Sequence, residues 1–167
     1  MDASAISQII FLIILLILSA FFSSAETALT TVNKIRMRTL ADDGNKRAER
    51  VLRITDDSHK MLSAILIGNN IVNLSASSLA TTLAIKLWGS VGAGIATGIL
   101  TFLILVFGEI SPKTFATLYA DQISIAYSGI IGFLMKILTP VIFLVNQFSM
   151  GFLFLLHVDP KANNNQM

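Results

Sequence analysis

Three long apolar stretches, each interrupted by a few polar residues at helical spacing, organise this chain. The first runs over about 6–32 and holds an unbroken apolar run from Ile9 to Leu18. That length suits a membrane-spanning helix, which needs about 20 apolar residues. The second stretch covers about 60–87 and the third about 90–120, with Trp88 and Gly89 at the turn between them. Between the first two lies the one long polar segment, 33–57. There Ile35, Leu40, Ala48, Val51, Leu52 and Ile54 trace a weak helical stripe, broken at Asp42-Asp43-Gly44. Two short amphipathic helices joined by a turn, lying at the membrane surface, are the expectation.

The last apolar segment, 121–157, is interrupted by Lys136, Pro140 and Asn146-Gln147. A straight span would bury either the lysine or the amide pair, which is costly at the bilayer centre. Pro140 should kink any helix there. A bent, belt-like fourth helix wrapping the bundle at the cytoplasmic side is therefore expected, with a fourth span as the alternative. Residues 159–167 read as a polar tail, and 1–158 as one membrane domain. The predicted fold class is an all-α membrane protein: three transmembrane helices, juxtamembrane amphipathic helices and a kinked belt helix.

Composition agrees. Only 13% of the 167 residues are charged, and mean hydropathy is +0.74, where a soluble domain carries about 25% charged residues. Eight of the twelve Lys and Arg fall between Lys34 and Lys60. Nucleic-acid binding would explain that patch but not the apolar stretches around it; a cytoplasmic loop explains both. The N-terminus is then outside, the C-terminus cytoplasmic, and the chain a multi-pass plasma-membrane protein. No Lys or Arg precedes Lys34, so the first segment lacks the positive flank of a signal peptide and is expected to be retained. With no Cys, thiolate metal sites and disulfides are excluded.

The polar residues inside the apolar stretches carry the candidate chemistry. Ser19, Ser23, Glu26, Thr30 and Asn33 recur at intervals of four, three, four and three, so they share one helix face. On the second helix, Ser63, Asn70, Asn73 and Ser77 follow intervals of seven, three and four. The third helix contains Gly108-Glu109-Ile110-Ser111-Pro112-Lys113. Pro112 has no N–H for the carbonyl four residues earlier, that of Gly108. A freed carbonyl would then sit beside the Glu109 carboxylate, and in a membrane it must find another partner. Hydroxyl, carboxamide, carbonyl and carboxylate oxygens suit Mg²⁺, Ca²⁺ or Na⁺ and disfavour Zn²⁺ or Cu⁺. Ser24, Ser75, Ser78 and Thr81 read as hydroxyls bonded to helix backbone, and His59 and His157 as interfacial side chains. With no nucleophile–base pair and no metal-binding His pair in view, an enzyme is not expected.

Three ordered motifs, Leu18-Ser19-Ala20-Phe21-Phe22-Ser23-Ser24-Ala25-Glu26-Thr27-Ala28-Leu29, Gly68-Asn69-Asn70-Ile71-Val72-Asn73 and Gly108-Glu109-Ile110-Ser111-Pro112-Lys113, resemble the transmembrane domain of the CNNM/CorC family. The resemblance covers essentially the whole chain. It implies a homodimer that transports Mg²⁺, usually outward and coupled to Na⁺. Its ion site would fall on Ser19 and Ser23, on Ser63, Asn70 and Asn73, and on the Gly108 carbonyl with Glu109. Glu26 and Pro112 would support the site. Family members usually continue into cytoplasmic CBS domains that bind ATP; this chain contains none, so ATP would act only through parts outside it. The competing expectation is a Mg²⁺-sensing scaffold that regulates another transporter.

Overall fold

The computed structural model describes residues 2–157, and within them every regular element is a helix. The predicted tail, 159–167, lies outside the described residues. Helix α1 spans Ala3–Thr31. Asp2 caps its start by accepting the Ala5 N–H at 2.9 Å. That bond, and then Lys86 across the bundle, hold the Asp2 carboxyl below its ordinary range. Two short helices follow, α2 (Lys34–Asp42) and α3 (Lys46–Asp56), separated at Asp43-Gly44-Asn45. Gly44 sits there at φ +95°, a conformation that side chains disfavour. The amide oxygens of Asn33 and Asn45 cap the two helices by accepting the N–H groups of Arg36 and Ala48.

Helix α4, Ser58–Trp88, crosses back. After a tight turn the third crossing begins as α5 (Gly92–Leu103), widens into a π-helical segment over Ile104–Ile110 and resumes as α6 (Ser111–Leu118). Three helices, Ala3–Thr31, Ser58–Trp88 and Gly92–Leu118, are long and apolar enough to cross a membrane. Many of their large apolar side chains point outward, Ile17 and Leu74 among them. Lipid rather than water is the solvent that such a surface fits.

The interior is built by close approach of small residues. Ala28 of α1 has no exposed surface and packs with Ala116 and Ile123, while Ala25, equally buried, shares one core with Leu15, Phe22 and Leu29 of α1 and Met61, Ile65 and Val72 of α4. Gly68 is required at this contact, because a Cβ there would fall 2.5 Å from the ring of Phe22. The amphipathic helices join the same core through Met37 of α2 and Val51 and Ile54 of α3.

The fourth segment forms two helices, α7 (Ala120–Ile137) and α8 (Thr139–Leu155), bent by 65° at Leu138. Pro140 lies in the first turn of α8, where its missing N–H costs nothing. Both ends of α7 meet the basic end of the bundle. At one end Asp121 accepts the backbone N–H of Asn33 at 3.0 Å and pairs with Arg36 at 2.7 Å. At the other, Lys136 lines a cavity with Lys60, near the start of α4. A helix whose two ends lie at the same end of the bundle runs across it, as the belt expectation requires. Helix α8 stays nearby, with the Asn146 amide oxygen 3.2 Å from His59 Nε2.

Candidate functional site

Helices α1 and α4 run antiparallel, and their polar stripes meet. The Ser19 hydroxyl, 1% exposed, donates to the Asn73 amide oxygen at 2.8 Å. One turn further along α1 and one turn back along α4, the same register sets Ser23 opposite Asn69. Both positions hold a buried oxygen without a partner, Ser23 Oγ and Asn69 Oδ1. The contrast with Ser24 is informative. Its hydroxyl donates back to the carbonyls of Ala20 and Phe21 at 2.8 and 3.0 Å, the usual solution for a serine in a membrane helix. Ser23 makes no such bond. Leaving a buried hydrogen-bonding group unsatisfied costs about 1–3 kcal/mol, so two in adjacent positions mark a place short of a polar partner.

The third helix reaches this place at Gly108, which is buried. A Cβ on Gly108 would lie 2.9 Å from Ser19 Oγ, so only glycine brings the backbone this close to the serine. Glu109, the next residue, is half-buried. The π-helical segment changes which carbonyls are short of a donor. Ser111 N–H donates to the Val106 carbonyl, five residues back. In that register the absent N–H of Pro112 falls opposite Phe107, while in the α register that resumes at Ser111 it falls opposite Gly108. The change of pitch thus involves two successive carbonyls, where sequence alone pointed to Gly108.

The remaining predicted residues are distributed as follows. Ser63 is half-buried but ten residues before Asn73 on the unbroken α4, which puts it about 15 Å away along the axis. It is not brought into the Ser19–Asn73 cluster. Asn70 faces outward from the single chain, and Ser77 is exposed. Glu26 is half-buried, two turns from Ser19 towards the basic end. Two members of the first stripe leave it. Thr30 bonds back to Glu26 and Thr27 carbonyls, and Asn33 lies past the end of α1, where it caps α2. The helix ends at Thr31, so the periodicity could not continue.

Asn69 is the residue the sequence pattern passed over. It stands four residues before Asn73 and so shares its face, a signal hidden by the adjacent Asn70. Among the described residues there is no cluster of three or more His, Cys, Asp or Glu suited to a metal. Any cation held here would meet mostly neutral oxygens with few carboxylates.

Crossing helices, surface helices and a buried polar cluster between them define a multi-pass, all-α membrane protein. The chain belongs to the family described as the cyclin M transmembrane N-terminal domain, CNNM, which matches residues 10–167. It is 46% identical over 150 residues to a UPF0053 protein of Haemophilus influenzae, covering 89% of this chain and 36% of that one. It is 41% identical over 129 residues to the UPF0053 inner membrane protein YfjD of Escherichia coli, covering 77% and 30%. A chloroplastic DUF21 domain-containing protein of Arabidopsis thaliana is 39% identical over 156 residues, covering 93% and 24%. The chain thus spans about a quarter to a third of the length of these curated relatives.

Proposed function

We propose that this chain is the membrane domain of a Mg²⁺ transporter, working by Na⁺-coupled export as a homodimer in the plasma membrane. The observation that carries the reading is the pair of unpartnered buried oxygens, Ser23 Oγ and Asn69 Oδ1, beside the Ser19–Asn73 bond and the Gly108 backbone. A cation entering there would take oxygens from all three crossing helices. Ser19, Ser23, Asn73, the Gly108 carbonyl and Glu109 form the proposed site, with Asn69 added. Asn70 joins it only by a rotation of α4 or in the dimer. Ser63 and Glu26 fit an approach from the basic end better than direct coordination.

The donor chemistry supports a hard ion. Magnesium releases its waters reluctantly, and a site of mostly neutral oxygens can accept a partly hydrated ion and let it go. In this reading the basic helices α2 and α3 are cytoplasmic, with the N-terminus outside and the C-terminus inside. No step of the reading calls for enzymatic chemistry.

The test is Mg²⁺ flux in proteoliposomes with and without a Na⁺ gradient, using wild type and Glu109→Ala. Gradient-dependent flux lost in the variant is expected. Equal, Na⁺-independent flux in both would overturn the proposal, and Mg²⁺ binding without flux would favour the sensing scaffold.

A further inference from the structure

At the basic end, between α3, the start of α4 and α7, lies a cavity of about 460 Å³. Its polar wall is formed by Arg50, Arg53, Lys60 and Lys136. The one carboxylate in the lining is Asp57, so four cations and one anion leave a local charge of +3. None of the four cations has a carboxylate within salt-bridge distance among the described residues, where the ion pairs are Arg36–Asp121 and Lys86–Asp2. Concentrating like charges in one recess is unfavourable unless an anion answers them.

The recess is shaped around one of these cations. Arg50 Nη1 lies over Gly129 of α7, where a Cβ would sit 2.9 Å away. Any larger residue at 129 would push the guanidinium off the helix. The lining is also apolar in part, through Ile54 beside Arg53 on α3 and Phe133 one turn from Lys136 on α7, and Phe133 is 61% exposed. Lys60 is the third residue of α4, a helix long and apolar enough to cross the membrane. The cavity therefore lies where the membrane-crossing segment begins, with charged and apolar side chains drawn from both α3 and α7.

We propose that this cavity binds an anionic phospholipid. Arg50, Arg53 and Lys136 would take the phosphate oxygens, guanidinium groups being matched to phosphate by their forked donors. Phe133 and Ile54 would take the start of the acyl chains. The apolar side chains in the lining favour a lipid over a soluble phosphate, which would gain nothing from them. Basic pockets beside membrane helices hold phospholipid headgroups in the same way. This proposal is independent of the cation site, and Mg²⁺ binding measured on the same samples separates the two.

The experiment is native mass spectrometry of the purified protein in detergent, titrated with phosphatidylglycerol or phosphatidylcholine. Phosphatidylglycerol should bind at least about tenfold more tightly. The double variant Arg50→Gln/Arg53→Gln should lose that preference, while Arg38→Gln/Arg47→Gln, with the same charge change outside the cavity, should stay within about twofold of wild type. Circular dichroism checks folding. Gly129→Ala and Lys136→Gln give a second route from α7 and should each weaken phosphatidylglycerol binding severalfold. Equal binding of the two lipids would overturn the proposal, as would equal losses in both double variants, the mark of diffuse surface charge. Full competition by millimolar glycerol phosphate would also overturn it, by assigning the cavity to a soluble anion.

Discussion

The hydroxyl of Ser19 and the amide oxygen of Asn73 are joined at 2.8 Å across 54 residues of sequence. The bond fixes the register of α1 against α4. Asn73→Ala removes the acceptor and leaves the Ser19 hydroxyl buried. It should lower stability by about 0.6 kcal/mol, the average for hydrogen bonds between membrane helices, and by no more than about 1.7, and weaken Mg²⁺ binding. Ser78→Ala, at an exposed position on the same helix, should change neither. Thermal unfolding and calorimetric Mg²⁺ titration in detergent decide the matter; equal affinities in the two variants would reject the polar face assigned to α4.

Gly108 tests the approach of the third helix. In Gly108→Ala the new Cβ would lie 2.9 Å from Ser19 Oγ, so the serine must turn or the helices must part. Overpacking of this kind costs about 1–3 kcal/mol. Mg²⁺ affinity should fall at least as far as it does in Ser19→Ala. An unchanged affinity would mean that the backbone at Gly108 takes no part in the site.

Pro112→Ala supplies the N–H that the ladder lacks and should draw the Phe107–Gly108 turn towards regular α pitch. Stability should rise or hold, since proline in a helix interior costs about 3 kcal/mol, while Mg²⁺ flux falls. A variant that is more stable and equally active would show that the irregular pitch is irrelevant to transport.

Asp121 joins α7 to the α1–α2 junction by two bonds, one to Arg36 and one to the Asn33 N–H. Arg36 is largely exposed, so Arg36→Ala should cost no more than about 1 kcal/mol. Asp121→Ala removes that pair and also an exposed hydrogen bond from the Asn33 N–H, and should cost more by about 0.5–1.5 kcal/mol. Chemical denaturation of both variants gives the order, and the reverse order would contradict the double role of Asp121.

Placement of the belt can be read by accessibility. The chain has no cysteine, so Thr139→Cys and Ser149→Cys give clean single labels. An impermeant thiol reagent applied outside intact cells should modify neither, and both should react after permeabilisation. Labelling of Ser149→Cys from outside would turn α7 and α8 into a fourth crossing.

Much of this architecture is legible in the residues because lipid removes the alternatives. Where water cannot satisfy a backbone, an apolar run of the length of 9–32 must be helical. Lys136 and Pro140 together argue against a straight fourth crossing. The site was legible only in part. Periodicity places residues on a face but does not say where a helix stops, so Thr30 and Asn33 seemed to extend a stripe that ends with α1 at Thr31. It also could not choose between neighbours. Asn69 and Asn70 both lie near the Asn73 face, and packing against α1 settles that Asn69 turns its oxygen inward. The π-helical segment had a visible cause in Pro112, but its extent depends on carbonyl partners that sequence does not list.

That segment has a consequence for the third helix as a whole. Before it, Gly92, Ala96 and Leu100 are buried beside α4; after it, Ala116 is buried against Ala28 of α1. The wide turn between Ile104 and Ile110 absorbs about one residue more than a regular helix would hold. Removing a single residue there would let the turn close to regular α pitch and leave Ser111 onward in its present phase. Removing one from the regular turns of α5, with the wide turn kept, would swing everything from Ser111 onward by about 100°, the angular step per residue in an α-helix, and Ala116 would leave Ala28 although no contacting side chain had been altered. The wide turn between 104 and 110 is thus the one stretch of this helix that can lose a residue and still keep both neighbours in phase.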